Sequence, residues 1–562
     1  MASRSLEVFS AGIAVAGNNI SNASTPGYIR EELVLQPSSP YAAGGLVFGT
    51  GAEAVGIQQQ IDQFLEHRIH QASSDSSRAE TVEDIYKQLE LQLQELGEDD
   101  LSTSLSTFLA AIQDVVNQPE LPELKQLAIA RGEELATGIS GLRGRIDELR
   151  RAQSNGIDLL VTEANRLIDV VVSTNPQIAK LEASGLLQSD AGGLRAQRYD
   201  ALNRLSEIIP VNYIERSDGS IDLFSGSNYL VLKGSYQHLE STAYVDRGVQ
   251  VQSVTLSRTQ SGVALTGGEL GGIVEGRDTL LGGFVDQLDT WSAELIQQFN
   301  QLHSSGEGTS GFSSVMSEHT VLDPTVSLND SATGLTFVPQ HGSFDLKVTS
   351  TLTGLTSTTT IQVDLDGLGA PGSDTTLNSL RDAITAASSE VTASIDTQGR
   401  LQITAAANYE IRFSSDSSGV LAALGINTFF TGTDSSSIGV SDTVRNDPSL
   451  FATGQGGGPS DNRNIIALAG FLDNPSDGLG GSTLDDFYEQ LITQVTVDSS
   501  TATTVANGFE SFRQSLLNQR QQFSGVSLDE EAVKVLEFQR SFQSAARLIS
   551  TIDELFDVLL SM

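Results

Sequence analysis

The two ends of the chain carry hydrophobic residues at the spacing of coiled-coil helices. Near the start, a 3-4-3-4 spacing connects Leu6, Phe9, Ile13, Ala16 and Ile20. Near the end, an unbroken alternation of threes and fours connects Val535, Phe538, Phe542, Ala545, Ile549, Ile552, Phe556 and Leu559. Each set lies on one face of a helix. The pattern therefore predicts two amphipathic helices, far apart in sequence, that pair with each other.

Polar residues predict where these helices begin and end. The first should stop near Asn22, because short polar side chains and then Pro26-Gly27 follow it. Ser527 and Glu530 have the spacing of a capping box ahead of the last helix. Ordering an isolated helix costs about 1–2 kcal/mol per residue. We expect both ends to fold fully only when they meet each other and neighbouring copies.

The middle of the chain predicts an α+β multidomain protein. Leu135, Ile139, Leu142 and Ile146 lie on one face of a predicted helix. From residue 211 the hydrophobic residues instead alternate with a period of two, which is typical of strands. Ser, Thr, Gly and Asp dominate residues 306–450. We predict a terminal coiled-coil domain (1–60 with 515–562) and a bundle of long helices (61–210 with 268–305 and 455–514). A small β domain (211–267) and an outer, mainly β domain (306–454) complete the division.

Composition narrows the possible partners. The 562 residues include 32 basic and 71 acidic ones, so the net charge is −39, which disfavours nucleic acid and anionic membranes. There is no cysteine, so disulfides and thiol catalysis are excluded. No apolar run reaches about 18 residues, and none should insert into a membrane. The apolar stretch 9–16 resembles a signal peptide only faintly, since Glu7 interrupts it, and we predict no cleaved signal.

No residue pattern predicts an enzyme, a cofactor or a metal site. His67 and His70 have helical spacing but lack a second pair of ligands, and we predict two solvated residues. The segment 367–372 fits G-x-G-x-x-G, but Pro371 stands where a helix should open, so a hairpin loop is expected. Asp364 and Asp366 suggest calcium, yet the twelve-residue loop pattern is absent, which favours a polar strand end.

Several short segments resemble a known family. GNNISNASTPGY at residues 17–28 is similar to the N-terminal signature of bacterial flagellar rod, hook and hook-associated proteins. Further segments resemble the flagellar hook-associated protein 1 family, which sits at the hook–filament junction. They are RAQRYDALNRLS (195–206), GGELGG (267–272), FNQLH (299–303), SDN (460–462), GVSLDEEA (525–532) and FQRSFQ (538–543). The resemblance covers most of the chain outside 306–450.

The resemblance implies a secreted structural protein of the extracellular flagellum. It would be exported by the flagellar type III apparatus and form a ring with copies of itself. Its other partners would be the hook protein, the second hook–filament junction protein and an export chaperone at the C-terminal helix. In this view Asn18, Asn19 and Asn22 bridge the helix-to-turn transition, Pro26 and Gly27 reverse the chain, and Tyr28 packs the turn against a helix. The C-terminal stripe would face the N-terminal helix or a neighbouring subunit.

Two alternatives stay open. The chain could be another flagellar axial protein of the hook or rod type, although the segments around Arg198 and Phe542 favour the junction family. Residues 306–450 could also act as a surface-exposed adhesin on a structural stem. Glycan or host-surface binding that disappears when this segment is deleted would support the second alternative, and unchanged binding would remove it.

Overall fold

The helices of the chain are given by a computed structural model that describes residues 2–25, 27–93, 100–184, 189–368 and 373–562. In chain order they are α1 (Ala2–Asn22), α2 (Gln63–Leu93), α3 (Leu101–Asn117), α4 (Pro122–Ser184), α5 (Gly192–Ile208), α6 (Gly268–Glu275), α7 (Gly282–Ser304), α8 (Leu377–Ala387), α9 (Val420–Leu424), α10 (Asp442–Asn446), α11 (Arg463–Ala469), α12 (Leu484–Ser524) and α13 (Leu528–Ser561). A π-helical segment, Gly276–Leu281, joins α6 to α7. The predicted end of the first helix at Asn22 is confirmed.

The strands are short and pair in antiparallel fashion. In chain order they are β1 (Glu31–Pro37), β2 (Tyr41–Ala43), β3 (Leu46–Phe48), β4 (Ala52–Gln59), β5 (Asn212–Glu215), β6 (Ile221–Ser225), β7 (Asn228–Leu232), β8 (Ser235–Tyr236), β9 (Leu239–Asp246), β10 (Val249–Leu256), β11 (Ser314–Met316), β12 (Gly342–Ser350), β13 (Thr356–Val363), β14 (Val391–Ile395), β15 (Leu401–Ala405), β16 (Tyr409–Ser414), β17 (Phe430–Thr431) and β18 (Gly439–Val440). The predicted α+β class is confirmed.

The chain divides into two compact units. Unit 1 comprises Met1–Lys87, Leu149–Leu280 and Asp498–Met562, and unit 2 comprises Gln88–Glu148 and Leu281–Val497. The four domains expected from sequence divide the chain differently, because the helical-bundle domain (61–210 with 268–305 and 455–514) has residues in both units. That four-domain division stays a prediction.

The main core of unit 1 lies among α4, α5, α6 and the strands β5 to β10. β5-β6-β7-β8 form one sheet, and β9 pairs with β10. Their inward side chains pack with the helices to bury Ile157, Leu167, Leu202, Leu223, Leu256 and Leu270. The strands expected from the period-2 patterns that begin at residue 211 are confirmed.

The terminal part of unit 1 combines α1, α13 and the strands that follow α1. β1 pairs with β4, β2 pairs with β3, and α1 contacts α13, β1 and β4. The helix α13 begins after Ser527, whose hydroxyl accepts a hydrogen bond from the backbone N–H of Glu530 at 3.5 Å. The predicted start of the last helix after Ser527 is confirmed, and the preceding helix α12 ends at Ser524.

The helical part of unit 2 packs around aromatic rings. The rings of Phe108, Phe299, Phe429 and Phe430 lie 4.8–5.8 Å apart, centroid to centroid, in a buried cluster. The buried Trp291 indole on α7 donates a hydrogen bond to the carbonyl of Leu484 at 2.8 Å. These contacts hold α3, α7 and the start of α12 together.

The β part of unit 2 contains two three-stranded sheets, β11-β15-β14 and β13-β12-β16. Alternate residues of each strand point into a core that also receives the apolar face of α8. This core includes Phe344, Leu346, Leu380, Ile403 and Phe413. Thr376 begins α8, because its hydroxyl accepts from the N–H of Ser379 while the Ser379 hydroxyl accepts from the N–H of Thr376. The mainly β structure expected for this part of the chain is confirmed.

Candidate assembly surface

The terminal helices α1 and α13 pack against each other within one chain. The face of α1 that is buried comprises Val8, Gly12, Val15, Ala16 and Asn19. A Cβ atom placed at Gly12 would lie 2.8 Å from the Phe538 ring, so the absence of a side chain lets this ring lie against the α1 backbone. The predicted pairing of the two ends is therefore seen in the single chain.

The buried face of α1 differs from the predicted stripe. Of that stripe, only Ala16 is buried; Leu6, Phe9 and Ile13 are half-buried and Ile20 is exposed. The predicted residues border the buried face, because the helix turns glycine and asparagine toward α13. These residues form an apolar border along the contact between α1 and α13.

The predicted stripe of α13 divides into two parts. Its first part lies along α1: Ala545 is buried, Val535, Phe538 and Ile549 are half-buried, and Phe542 is exposed. Its second part is exposed, with Phe556 60% and Leu559 67% accessible. We use the name outer strip for five exposed apolar residues along one side of α13, which are Leu548, Ile552, Leu555, Phe556 and Leu559. Ile552, Phe556 and Leu559 belong to the predicted stripe, and Leu548 and Leu555 lie beside it. Four of them follow the 4-3-4 spacing of one helical face.

Asn19 joins α1, the following strand and α13. Its amide nitrogen donates to the carbonyl of Glu31 at 2.9 Å and to Glu531 Oε2 at 3.0 Å. Its oxygen accepts from the Tyr28 hydroxyl at 2.8 Å and from the N–H of Glu31 at 3.0 Å. The buried Glu531 carboxylate also receives a hydrogen bond from Arg30 at 2.9 Å. The buried polar atoms of this cluster thus have partners, as burial requires.

The other motif residues predicted at this turn are arranged around Asn19. Asn22 donates to the Asn18 carbonyl at 3.0 Å, and Asn18 donates to Glu31 Oε2 at 3.1 Å. Tyr28 packs back toward α1, and burial, together with the negative charges of Glu31 and Glu531, raises its pKa. Pro26 lies outside the described residues.

Gly27 brings this turn against the second motif of unit 1. Its φ is +72°, a left-handed conformation that favours glycine. A Cβ atom there would lie 3.1 Å from Asp200 Cβ and 3.4 Å from the Ala196 carbonyl, both on α5. Two of the segments that carry the resemblance, residues 17–28 and 195–206, are therefore in contact.

The arginines of the second motif hold α5 in place. Arg195 contacts Glu182 at 2.7 Å and Glu215 at 2.6 Å. Arg198 is fully buried and donates to the Gly219 carbonyl at 2.7 Å. These are buried structural contacts, and their role is to fix the position of the helix against which Gly27 packs.

Motif residues of unit 2 form a second buried polar cluster. Asn300 donates to the Phe430 carbonyl at 2.8 Å and accepts from the N–H of Phe429 at 3.0 Å. His303 accepts from the N–H of Ala452 at Nε2, which leaves Nδ1 to donate to the Asn427 carbonyl at 2.8 Å. Burial lowers the pKa of His303 to about 4, so the ring is neutral.

The prediction that His67 and His70 are both solvated is wrong for His70. His70 is 1% exposed, and its Nε2 lies 2.9 Å from Asn203 Oδ1. The ring of the half-buried His67 stacks on Tyr213 at 4.4 Å. Burial lowers the pKa of His70 to about 4. The burial of His70 could have been inferred from the apolar residues Leu65, Ile69 and Ala72, which make this side of α2 a buried face.

The remaining candidates from sequence lie in unit 2. Asp364 and Asp366 follow β13, as the predicted strand end requires. Gly367 has a φ of +67°, but residues 369–372 of the same segment lie outside the described residues. Among the described helices, none has both the length and the apolar character needed to cross a membrane.

Comparisons with known proteins match the chain to flagellar families. Residues 86–314 match the family described as flagellar hook-associated protein FlgK helical domain. Residues 518–562 match flagellar basal body rod FlgEFG protein C-terminal, and residues 351–407 match the flagellin hook IN motif.

Whole-length relatives are also found. The chain is 24% identical to flagellar hook-associated protein 1 of Escherichia coli strain K12, over 99% of this chain and 98% of that protein. It is 21% identical to flagellar hook-associated protein 1 of Bacillus subtilis strain 168, over 100% of this chain and 97% of that protein. A solved structure, the flagellar hook junction protein FlgK from Burkholderia pseudomallei, aligns with a TM-score of 0.49 and 15% identity, covering 82% of this chain and 100% of that one.

Proposed function

Because the chain belongs to the flagellar hook-associated protein 1 family and is a structural component of the bacterial flagellum, we propose that it joins the hook to the filament by self-assembly through its terminal helices. The observation that carries this proposal is the outer strip of α13. Its large apolar side chains are exposed in the single chain although they keep coiled-coil spacing.

The energetics of the outer strip favour association. Burying a large apolar side chain contributes about 1.5–3 kcal/mol, but only against a partner. The net charge of −39 opposes the approach of identical chains. Assembly therefore requires concentrated apolar burial, and the outer strip offers it at one end of the α1–α13 pair.

This surface and the family support a set of proposed partners. The proposed partners are copies of the same chain in a ring, the hook protein and the second hook–filament junction protein. Before assembly, an export chaperone would bind α13 by receiving its apolar face in a groove. Export through the flagellar type III apparatus belongs to the same proposal.

Binding to isolated hooks tests the proposal. Phe556→Asp and Leu559→Asp place a charge in the outer strip, and we expect either variant to lose binding to hook ends counted by electron microscopy. The matched control is Leu352→Asp, which changes a leucine that is 76% exposed in unit 2 and should bind as the wild type does. Equal binding by all three variants would overturn the proposal.

A further inference from the structure

Three side chains with metal-binding atoms meet at the open end of the β12–β13 pair. The last cross-strand pair joins Gly342 to Val363, so His341 and Asp364 lie opposite each other just beyond it. Asp366 is two residues further along the chain. One ligand atom from each of the three lies within 4.8 Å of the other two.

The contact between His341 and Asp364 is close but is not a hydrogen bond in the described part of the chain. His341 Nδ1 and Asp364 Oδ1 are 3.2 Å apart. The same nitrogen accepts from the N–H of Leu365 at 3.3 Å, and an imidazole nitrogen that accepts a hydrogen bond presents a lone pair. Asp364 Oδ1 is buried and has no hydrogen-bond partner among the described residues. Two acceptor atoms therefore face each other, and a cation between them would satisfy both.

The spacing of these atoms suits a metal ion. Two ligands about 2.1 Å from a shared ion lie about 3.0–3.4 Å apart in octahedral or tetrahedral geometry. Asp364 is held in place, because its N–H donates to the Thr375 hydroxyl at 2.8 Å and its carbonyl accepts from the N–H of Thr375 at 2.6 Å. Asp366 is exposed, so its carboxylate can move inward to complete the set.

We propose that His341, Asp364 and Asp366 bind one divalent transition-metal ion, of the class of Zn²⁺ or Mn²⁺. Imidazole nitrogen favours zinc and carboxylate oxygen favours manganese, whereas calcium prefers oxygen ligands alone. The ion would tie the start of β12 to the segment that follows β13. This site lies in unit 2 and does not depend on the proposed function.

Calorimetric titration of the full, tag-free chain tests the site. ZnCl₂, MnCl₂ and CaCl₂ are titrated separately into the wild type and into His341→Gln and Asp364→Asn. Both side chains are substantially exposed, 57% and 46% respectively, so the variants should fold. The matched controls are His238→Gln and Asp169→Asn. His238 and Asp169 form a His–Asp pair at 2.8 Å. Among the described residues, no third metal-binding side chain lies next to this pair.

We expect one Zn²⁺ or Mn²⁺ per chain in the wild type and in both controls, with binding weakened at least tenfold in His341→Gln and Asp364→Asn. Absence of saturable binding at millimolar metal would overturn the proposal and indicate a simple His–Asp ion pair. Binding that persists unchanged in both site variants would also overturn it. Calcium binding tighter than zinc or manganese, lost in Asp364→Asn but kept in His341→Gln, would overturn the mixed nitrogen and oxygen ligand set.

Discussion

Asn19 donates a hydrogen bond to Glu531 at 3.0 Å, although the two residues are 512 positions apart in the sequence. Both side chains are buried. The contact joins the end of α1 to the start of α13, next to the turn that carries the first family motif. The two ends of the chain are thus linked by a specific polar contact as well as by apolar packing.

Asn19→Ala should destabilise the terminal helix pair by about 2–4 kcal/mol, because it leaves the buried Glu531 carboxylate and the Glu31 backbone with unmet hydrogen bonds. The neighbouring Asn18 is exposed, and Asn18→Ala should cost less than about 1 kcal/mol. Urea unfolding followed by circular dichroism measures both. Equal losses in the two variants would contradict the role given to Asn19.

Gly12→Ala should weaken the pairing of α1 and α13, because the new Cβ would lie 2.8 Å from the Phe538 ring. At Gly17 no atom lies within 4 Å of the position that a Cβ would take. There the same substitution should stabilise the helix by about 0.5–1 kcal/mol through helix propensity alone. Opposite signs of the two changes, measured by thermal unfolding, would confirm the close approach. A stabilising Gly12→Ala would show that α1 and α13 do not touch there.

His70 should make unit 1 less stable in mild acid. Burial lowers its folded pKa to about 4, against about 6.5 in the unfolded chain. The unfolded chain therefore binds a proton that the folded chain does not, and stability falls as the pH drops from about 6.5 to about 4. The loss should be about 3 kcal/mol.

His70→Gln should remove this part of the pH dependence. Urea unfolding of the variant and of the wild type across this pH range measures the free energy of unfolding of each. Above this range, the free energy of unfolding should change with pH at the same slope in both proteins. Burial raises the pKa of Glu66, so this carboxyl group stabilises the folded chain as the pH falls, opposite to the effect of His70. Because Glu66 is present in both proteins, its contribution cancels in the comparison. An unchanged slope in the variant would contradict the assignment.

Asn300→Ala should destabilise unit 2 by about 2–4 kcal/mol, because the backbone groups of Phe429 and Phe430 would lose their buried partner. Asn117 is the control. It is exposed at the end of α3 and bonds only to the Gln113 carbonyl within its own helix in the described contacts, so Asn117→Ala should change stability by less than about 0.5 kcal/mol. Thermal unfolding compares the two, and equal losses would contradict the role given to Asn300.

Local patterns in the sequence predict much of this fold. The end of α1 at Asn22 and the start of α13 after Ser527 follow from residues within a few positions of each boundary. The coiled-coil spacing of α13 likewise follows from that helix alone. Such features depend on neighbouring residues, which the sequence shows directly.

The features that sequence reasoning missed depend on distant partners. Hydrophobic periodicity does not count Gly12 or Asn19, yet each is buried because Phe538 or Glu531 lies opposite. His70 is buried because Tyr213 and Asn203 cover it. Similarly, the pairing of β12 with β13 brings His341 to Asp364. Local apolar residues mark the buried face of α2 around His70, but the partner residue in each of these contacts lies far away in the sequence, where no local pattern identifies it.

Hydrogen exchange of the single chain and of the chain bound to isolated hooks tests the central claim most directly. In the single chain, amides of α1 and of residues 528–549 should be protected together, while those of 552–561 exchange fast. On hooks, exchange in 552–561 should slow at least tenfold, because the outer strip becomes buried. Unchanged fast exchange in 552–561 on hooks would contradict assembly through this strip.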